Sequence, residues 1–290
     1  MRSEEVAFAA QLACLLEVSA PKPGNVAPGL HFHDTRYEDF LASAIAIGPA
    51  LAAGGERPLG DTIRSAVEAT RRVTGRNTNL GILLLLAPLC RAALRPAGAP
   101  LRERLAAVLL ETTVADAVQV YAAIRLAAPG GLGESGAQDV TEAPTVTLRE
   151  AMALAADRDS VAREYVTGFE LTFGLGAPAL RAARREGLTW TDATVEAYLG
   201  ILAAVPDSHI ARKLGRQAAE VIAARARVVR DAGGVRSTRG RAELAAFDAE
   251  LRDARNTRNP GTSADLTAAA LCVVILEDGW QSSGGHVRAE

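Results

Sequence analysis

Apolar residues recur every three to four positions along almost the whole chain, and no alternation of period two persists for any length. Val6, Ala10, Ala13, Cys14 and Val18 mark one face of a helix over 3–18, which Pro21 and Pro23 end. A loop runs to about Tyr37, and helices follow over 38–53, stopped by Gly54-Gly55, and over 60–74. Asn77-Thr78-Asn79 opens a helix to about Leu94 that is apolar nearly all round, as expected of an element packed on several sides. Leu105, Val108, Leu109, Val114, Val118, Tyr121 and Ile124 set a helical period over 101–127. The stretch 129–146, with its glycines and Pro144, is a long loop of the kind that often carries function. Thr147 caps a short helix, and Val161, Tyr165 and Phe169 place another over 159–173. Further helices are expected over 191–204, from Asp207 to about Arg230, over 239–254, and from Ser263 to about Glu277. The fold class is all-α: one globular multi-helix domain of about eleven helices over 1–278, with a flexible Gly/Ser-rich tail over 279–290.

Composition narrows the function classes. Of 290 residues, 49% are hydrophobic but only 4% aromatic, so the core is built of Ala, Leu and Val. A net charge of −2 gives no basic field for nucleic acid or an anionic membrane, which leaves small molecules as the expected partners. The longest apolar run, Ile82 to Leu89, contains Pro88 and falls far short of the ~20 residues that cross a bilayer. Met1 to Glu5 is charged and lacks a signal core, so a cytoplasmic protein is expected; a homo-oligomer is compatible with all of this. Cys14, Cys90 and Cys272 lie far apart in apolar contexts and are expected to be free thiols. Lys22 and Lys213 are the only lysines among 32 basic residues, which singles out their compact ammonium groups.

Four polar clusters stand against this Ala/Leu/Arg background, three of them at helix starts, where free N–H groups and the helix dipole favour anions. Pro21-Lys22-Pro23-Gly24-Asn25-Val26 fixes Lys22 between two prolines, either as a stiff turn or as a preorganised phosphate grip. In Leu30-His31-Phe32-His33-Asp34, Asp34 reads as a base, a magnesium ligand or a turn cap; His31 and His33, with Asp34 able to share a ligand with them, are one ligand short of a zinc site. Asn77-Thr78-Asn79-Leu80-Gly81 either caps its helix or lines a phosphate pocket. Asp207-Ser208-His209 to Lys213, with Asn259-Pro260-Gly261-Thr262-Ser263-Ala264-Asp265, supplies two carboxylates, Asp207 and Asp265, that cap helices or together hold Mg²⁺ with substrate phosphates. Neither a Walker A sequence nor a Gly-x-Ser-x-Gly elbow is present.

Taken in order, Glu17-Val18 to Pro21-Lys22-Pro23-Gly24-x-Val26, Asp34 before Phe40-Leu41, Asn77 to Gly81, Asp207-Ser208 and Pro260 to Leu266 resemble the triphosphoribosyl-dephospho-CoA synthase family over nearly the whole chain. That resemblance implies an all-helical enzyme in which the 2′-hydroxyl of 3′-dephospho-CoA displaces adenine from C1′ of ATP. It implies catalytic roles for Glu17, Lys22 and Asp34, and nucleotide or phosphate contacts from Lys22, Asn25, Asn77, Thr78, Asn79, Gly81, Ser208, Lys213 and Ser263. It also implies Mg²⁺ on Asp207 and Asp265, with ATP as a substrate. The sequence departs from the citrate-lyase type at Gly130-Gly131-Leu132-Gly133-Glu134 and at Leu80, and resembles the branch found in archaea and one-carbon-metabolising bacteria. The acceptor is therefore either dephospho-CoA or a phosphorylated precursor of a methanopterin- or methanofuran-type coenzyme; a helical binding protein without turnover is the non-enzymatic alternative.

Overall fold

The computed structural model describes residues 1–129 and 138–280, and every regular element in them is helical. Fifteen α-helices follow one another: α1 (Ser3–Ser19), α2 (Tyr37–Ala46), α3 (Gly48–Ala52), α4 (Leu59–Val73) and α5 (Leu80–Leu94). Next come α6 (Leu101–Leu110), α7 (Val114–Ala127), α8 (Leu148–Ala153), α9 (Ser160–Thr167) and α10 (Ala177–Arg185). The chain then forms α11 (Trp190–Ala204), α12 (Ser208–Leu214), α13 (Arg216–Asp231), α14 (Thr238–Leu251) and α15 (Gly261–Asp278). No single described helix is long and apolar enough to cross a membrane.

The all-α expectation holds, but about eleven helices was too few, because local breaks divide periodic stretches. Ile47 separates α2 from α3 ahead of Gly48-Pro49. Thr113 caps α7 in a reciprocal box with Asp116, splitting 101–127. Gly215, at φ +88°, divides the long helix expected from Asp207. Periodicity missed α10 altogether; it continues directly from a wider helical turn over Thr172–Gly176 and carries Pro178 in its first turn.

Helices α5 and α15 pack against each other, with α1 across both, and their buried Leu, Ala, Val and Ile side chains form the main core. Prolines here are compensated from outside the helix. Pro88 lies within α5 and cannot donate to Leu84, so the Tyr165 hydroxyl donates to that carbonyl at 2.6 Å. Pro49 likewise leaves the Ile45 carbonyl to Gln11 Nε2, at 2.8 Å. A smaller core gathers Tyr198, Leu202, Ile210, Ile222, Phe247 and Leu251 from α11 to α14. The three cysteines are buried free thiols. The expected flexible tail begins at residues that do pack, with Trp280 stacked on Trp190 at 5.1 Å between ring centroids. The rest of it, 281–290, and the glycine segment from Gly130 to Glu134 lie outside the described residues.

Candidate active site

A cleft of about 620 Å³ opens beside the main core, which lines it with Leu80, Ile82, Leu84 and Val161, and its volume suits a nucleotide-sized ligand. Its wall includes the first turns of α5 (Asn79 to Ile82), α9 (Asp159 to Ala162) and α15 (Gly261 to Asp265). Three helix N-termini, each with the positive end of its dipole, thus converge on one space. The loops carrying Asn25, His33-Asp34, Arg76-Asn77 and Asn256 complete the wall. Segments far apart in sequence meet there because α1, α5 and α15 share the main core.

The expected phosphate grip at Lys22 is differently placed. Lys22 is 1% exposed and stays behind the cleft wall rather than lining it. Its Nζ ion-pairs with Glu17 Oε1 at 2.9 Å and donates to the carbonyls of Glu17 and Ala20, which occupies all three protons. Glu17 does line the cleft. The lysine therefore stands one layer back and fixes the Glu17 carboxylate. The prolines around it serve the same framework. Gly24, at φ +76°, leaves room for Leu251 and Pro260, and its N–H donates to Asp248 at 2.8 Å. Tyr198 donates to the Pro23 carbonyl. Asn25 lines the cleft but is held from behind: its Nδ2 donates to Tyr198 and its Oδ1 accepts from Asn259 at 3.0 Å.

The expected Asp207–Asp265 magnesium pair does not fit. Asp207 Oδ1 accepts from the N–H groups of His209 and Ile210 and so caps α12. Its Oδ2 accepts from the Ser263 N–H at 2.7 Å and hydroxyl at 2.8 Å, in the first turn of α15. One buried carboxylate thus fastens two helix starts, and no lone pair is left for a metal. Ser263 is accordingly not the cap of α15, which begins two residues earlier at Gly261. Ser208 is also internal: it accepts from the Ser160 N–H and donates to Thr262. Among the described residues no group of three or more His, Cys, Asp or Glu could hold a metal, so none of them supplies the further ligand that His31 and His33 would need. His31 accepts from the Tyr37 N–H, and His33 Nδ1 accepts from Asn256.

Asp265 differs from every other carboxylate around it. It lines the cleft and, among the described residues, has neither a hydrogen bond nor an ion pair. Gly81 makes its position available, since a Cβ there would stand 2.1 Å from Asp265 Oδ2. Burial, followed by the charges of Glu17, Asp207 and Asp159, pushes the Asp265 carboxyl well above the ordinary range.

Cations occupy the outer wall. Arg71, Arg76, Lys213 and Arg255 line the cleft and are exposed. Arg76 lies 3.7 Å from Asp34, so the Asp34 carboxylate stands at the mouth, balanced by that guanidinium, with His33 at 3.8 Å. Arg212 sits deeper, ion-paired with Asp159 and donating to His209 Nδ1 at 3.2 Å. That bond leaves the ring proton of a neutral His209 on Nε2. Burial, then Lys213 and Arg212, brings the His209 pKa down to about 3. In the Asn77 segment, Asn77 Oδ1 accepts from the Leu80 N–H, Thr78 pairs with Ser43, and Asn79 pairs through both ends of its amide with Thr70. All three line the cleft while their side chains are tied to the framework. Arg76, Arg212, Asp159 and Asn259 were not expected as site residues. The sequence offers one signal for Arg212, its place between His209 and Lys213; Asp159 looks like any helix cap.

The model of the ATP:dephospho-CoA triphosphoribosyl transferase family matches residues 3–284. A relative from Stutzerimonas stutzeri (strain A1501), named as a 2-(5″-triphosphoribosyl)-3′-dephosphocoenzyme-A synthase, is 29% identical over 272 residues, covering 87% of this chain and 84% of its own length. A relative of the same name from Pseudomonas fluorescens (strain Pf0-1) is 33% identical over 156 residues, 47% of this chain and 53% of its own length. A crystal structure from Archaeoglobus fulgidus, described as a triphosphoribosyl-dephospho-CoA synthase, superposes with a TM-score of 0.64 at 29% identity and covers 83% of this chain and 100% of that one. These names favour the dephospho-CoA reading over a one-carbon coenzyme precursor or a non-catalytic helical binder. The fold, the cleft and the match over nearly all of its length lead to one conclusion: this chain belongs to the ATP:dephospho-CoA triphosphoribosyl transferase family.

Proposed function

We propose that this protein transfers the triphosphoribosyl group of ATP to the 2′-hydroxyl of 3′-dephospho-CoA and releases adenine. One observation carries the reading beyond family membership. A single cleft has exposed cations on its outer wall, helix N-termini converging on it and, among its carboxyl groups, those of Glu17 and Asp265. A triphosphate suits the first two features, and breaking the glycosidic bond suits the third, since it calls for a carboxylate near the positive charge that grows at C1′ and an acid near the departing base.

In this reading Arg71, Arg76, Lys213 and Arg255 receive the phosphates, with Asn77 beside them. Mg²⁺ travels on the triphosphate, bound mainly by phosphate oxygens, as a small ion that keeps several waters. Asp34 balances Arg76 at the mouth. Lys22, Asn25, Thr78, Asn79, Ser208 and Ser263 act through the framework that sets the wall. The protein works in the cytoplasm on small phosphorylated molecules. The test is adenine release from ATP, followed by chromatography, with Mg²⁺ and 3′-dephospho-CoA present. Release that depends on dephospho-CoA is expected; no adenine under these conditions overturns the reading.

A further inference from the structure

We propose that Asp265 is the general acid that protonates the departing adenine, while Glu17, paired to Lys22, meets the ribose as a carboxylate. This rests on the triphosphoribosyl-transfer reading above.

The structure sorts the carboxylates near the cleft by what surrounds them. Asp207 is fully spent on four donors. Asp159 caps α9 with one oxygen and holds Arg212 with the other. Asp34 is exposed at the mouth beside Arg76. Glu17 has the Lys22 ammonium against it. Only Asp265, among the described residues of the cleft, has no donor or cation in contact. A carboxyl group in that setting is more stable with its proton, and a protonated acid beside an ionised one divides the work between acid and base. The charged or titratable groups facing Asp265 are Glu17 and Cys14 on α1, Asp159 ahead of α9, and Asp207 and Arg212 at α12, so acids outnumber the single cation. From α5, the facing residue is Gly81, which carries no charge.

The step balances. The C1′–N9 bond breaks and its electron pair moves into adenine. The Asp265 proton passes to a ring nitrogen of the base, so adenine leaves neutral. The 2′-oxygen of dephospho-CoA bonds to C1′, and its proton, made strongly acidic as that bond forms, passes to Glu17. Glu17 then releases a proton to solvent and Asp265 takes one up.

The experiment compares ATP with N7-methyl-ATP, whose base already carries a positive charge and leaves without a proton. Asp265→Asn is expected to lose about 10²- to 10⁴-fold in kcat on ATP, yet stay within a few-fold of the wild type on N7-methyl-ATP. An equal loss on both substrates, or no loss on ATP, overturns the assignment. The wild type gives a second measurement that does not depend on how the variant folds. Its kcat on ATP should fall with rising pH as Asp265 ionises, while kcat on N7-methyl-ATP should not follow; parallel profiles overturn the proposal. A wild type that releases no adenine from ATP overturns the transfer reading itself, whereas an active wild type with parallel profiles overturns only the acid.

Discussion

Nζ of Lys22 lies 2.9 Å from Oε1 of Glu17, and the lysine is buried behind a carboxylate that opens on the cleft. Removing one partner strands the other in a poorly solvated site. Lys22→Met is therefore expected to cost about 3–5 kcal/mol in urea unfolding. Adding Glu17→Gln should recover part of that loss. A Lys22→Met protein with wild-type stability would show that the pair carries no structural weight.

Asp207 ties the first turns of α12 and α15 together with four hydrogen bonds. Replacing a cap by Ala costs about 1 kcal/mol per helix, and the orphaned donors of Ser263 add to that. Asp207→Ala should therefore lose about 2–4 kcal/mol, read from thermal and urea midpoints. A magnesium ligand would instead lose activity at unchanged stability, rescued by raising Mg²⁺.

Gly81 gives up its place to the Asp265 carboxylate. In an ordinary helix Gly→Ala gains about 1 kcal/mol. Here the new Cβ would fall 2.1 Å from Oδ2, so the carboxylate or the helix start must shift. Gly81→Ala is expected to destabilise by about 1–3 kcal/mol, as overpacking does, and to lower kcat more than tenfold in the adenine-release assay.

The Asp265 pKa is raised on folding, mainly by burial. Between the unfolded value of about 3.9 and the raised folded value, the native state binds the extra proton, so stability falls as pH rises. Asp265→Asn removes this term. It should be more stable than the wild type at pH 8, by about 1–3 kcal/mol, and the gap should close toward pH 4. Urea midpoints at the two pH values measure it.

His209 has the opposite sign. Its pKa falls to about 3 in the fold, so between about 3 and about 6.5 the unfolded chain binds the extra proton and stability drops as pH falls through that window. Its imidazole carbon shifts in NMR should stay flat from pH 8 to pH 5. His209→Gln should blunt the loss of stability between pH 7 and pH 5.

Much of the fold was legible in the sequence. The three-to-four period gave the helical class, and the all-round apolar pattern of 80–94 picked out α5 as a central element. Breaks inside periodic stretches were harder to see. Thr113 and Gly215 interrupt helices whose apolar spacing continues across them, and α10, with Pro178 in its first turn, was not placed. Most of the family motifs do surround the cleft. Roles within those segments came out differently where a charge is already taken by partners inside the fold. Lys22 looked like a grip on phosphate, and Asp207 like a metal ligand, because sequence shows a charge but not its partner.

The sequence alone determined that the chain is helical, that polar clusters rich in Asn, Asp and Ser stand at several helix starts, and which family its motifs belong to. These follow from local periodicity and residue type, which act over a few positions. Only the tertiary structure decided which charges are spent and which are free. Lys22 is consumed by Glu17, and Asp207 by Ser263, which lies 56 positions away. Asp265 is left alone against Gly81. The state of a buried charge depends on the donors and cations within a few ångströms; Glu17 comes from just before Lys22, but Ser263 reaches Asp207 only because packing joins helices distant in the chain.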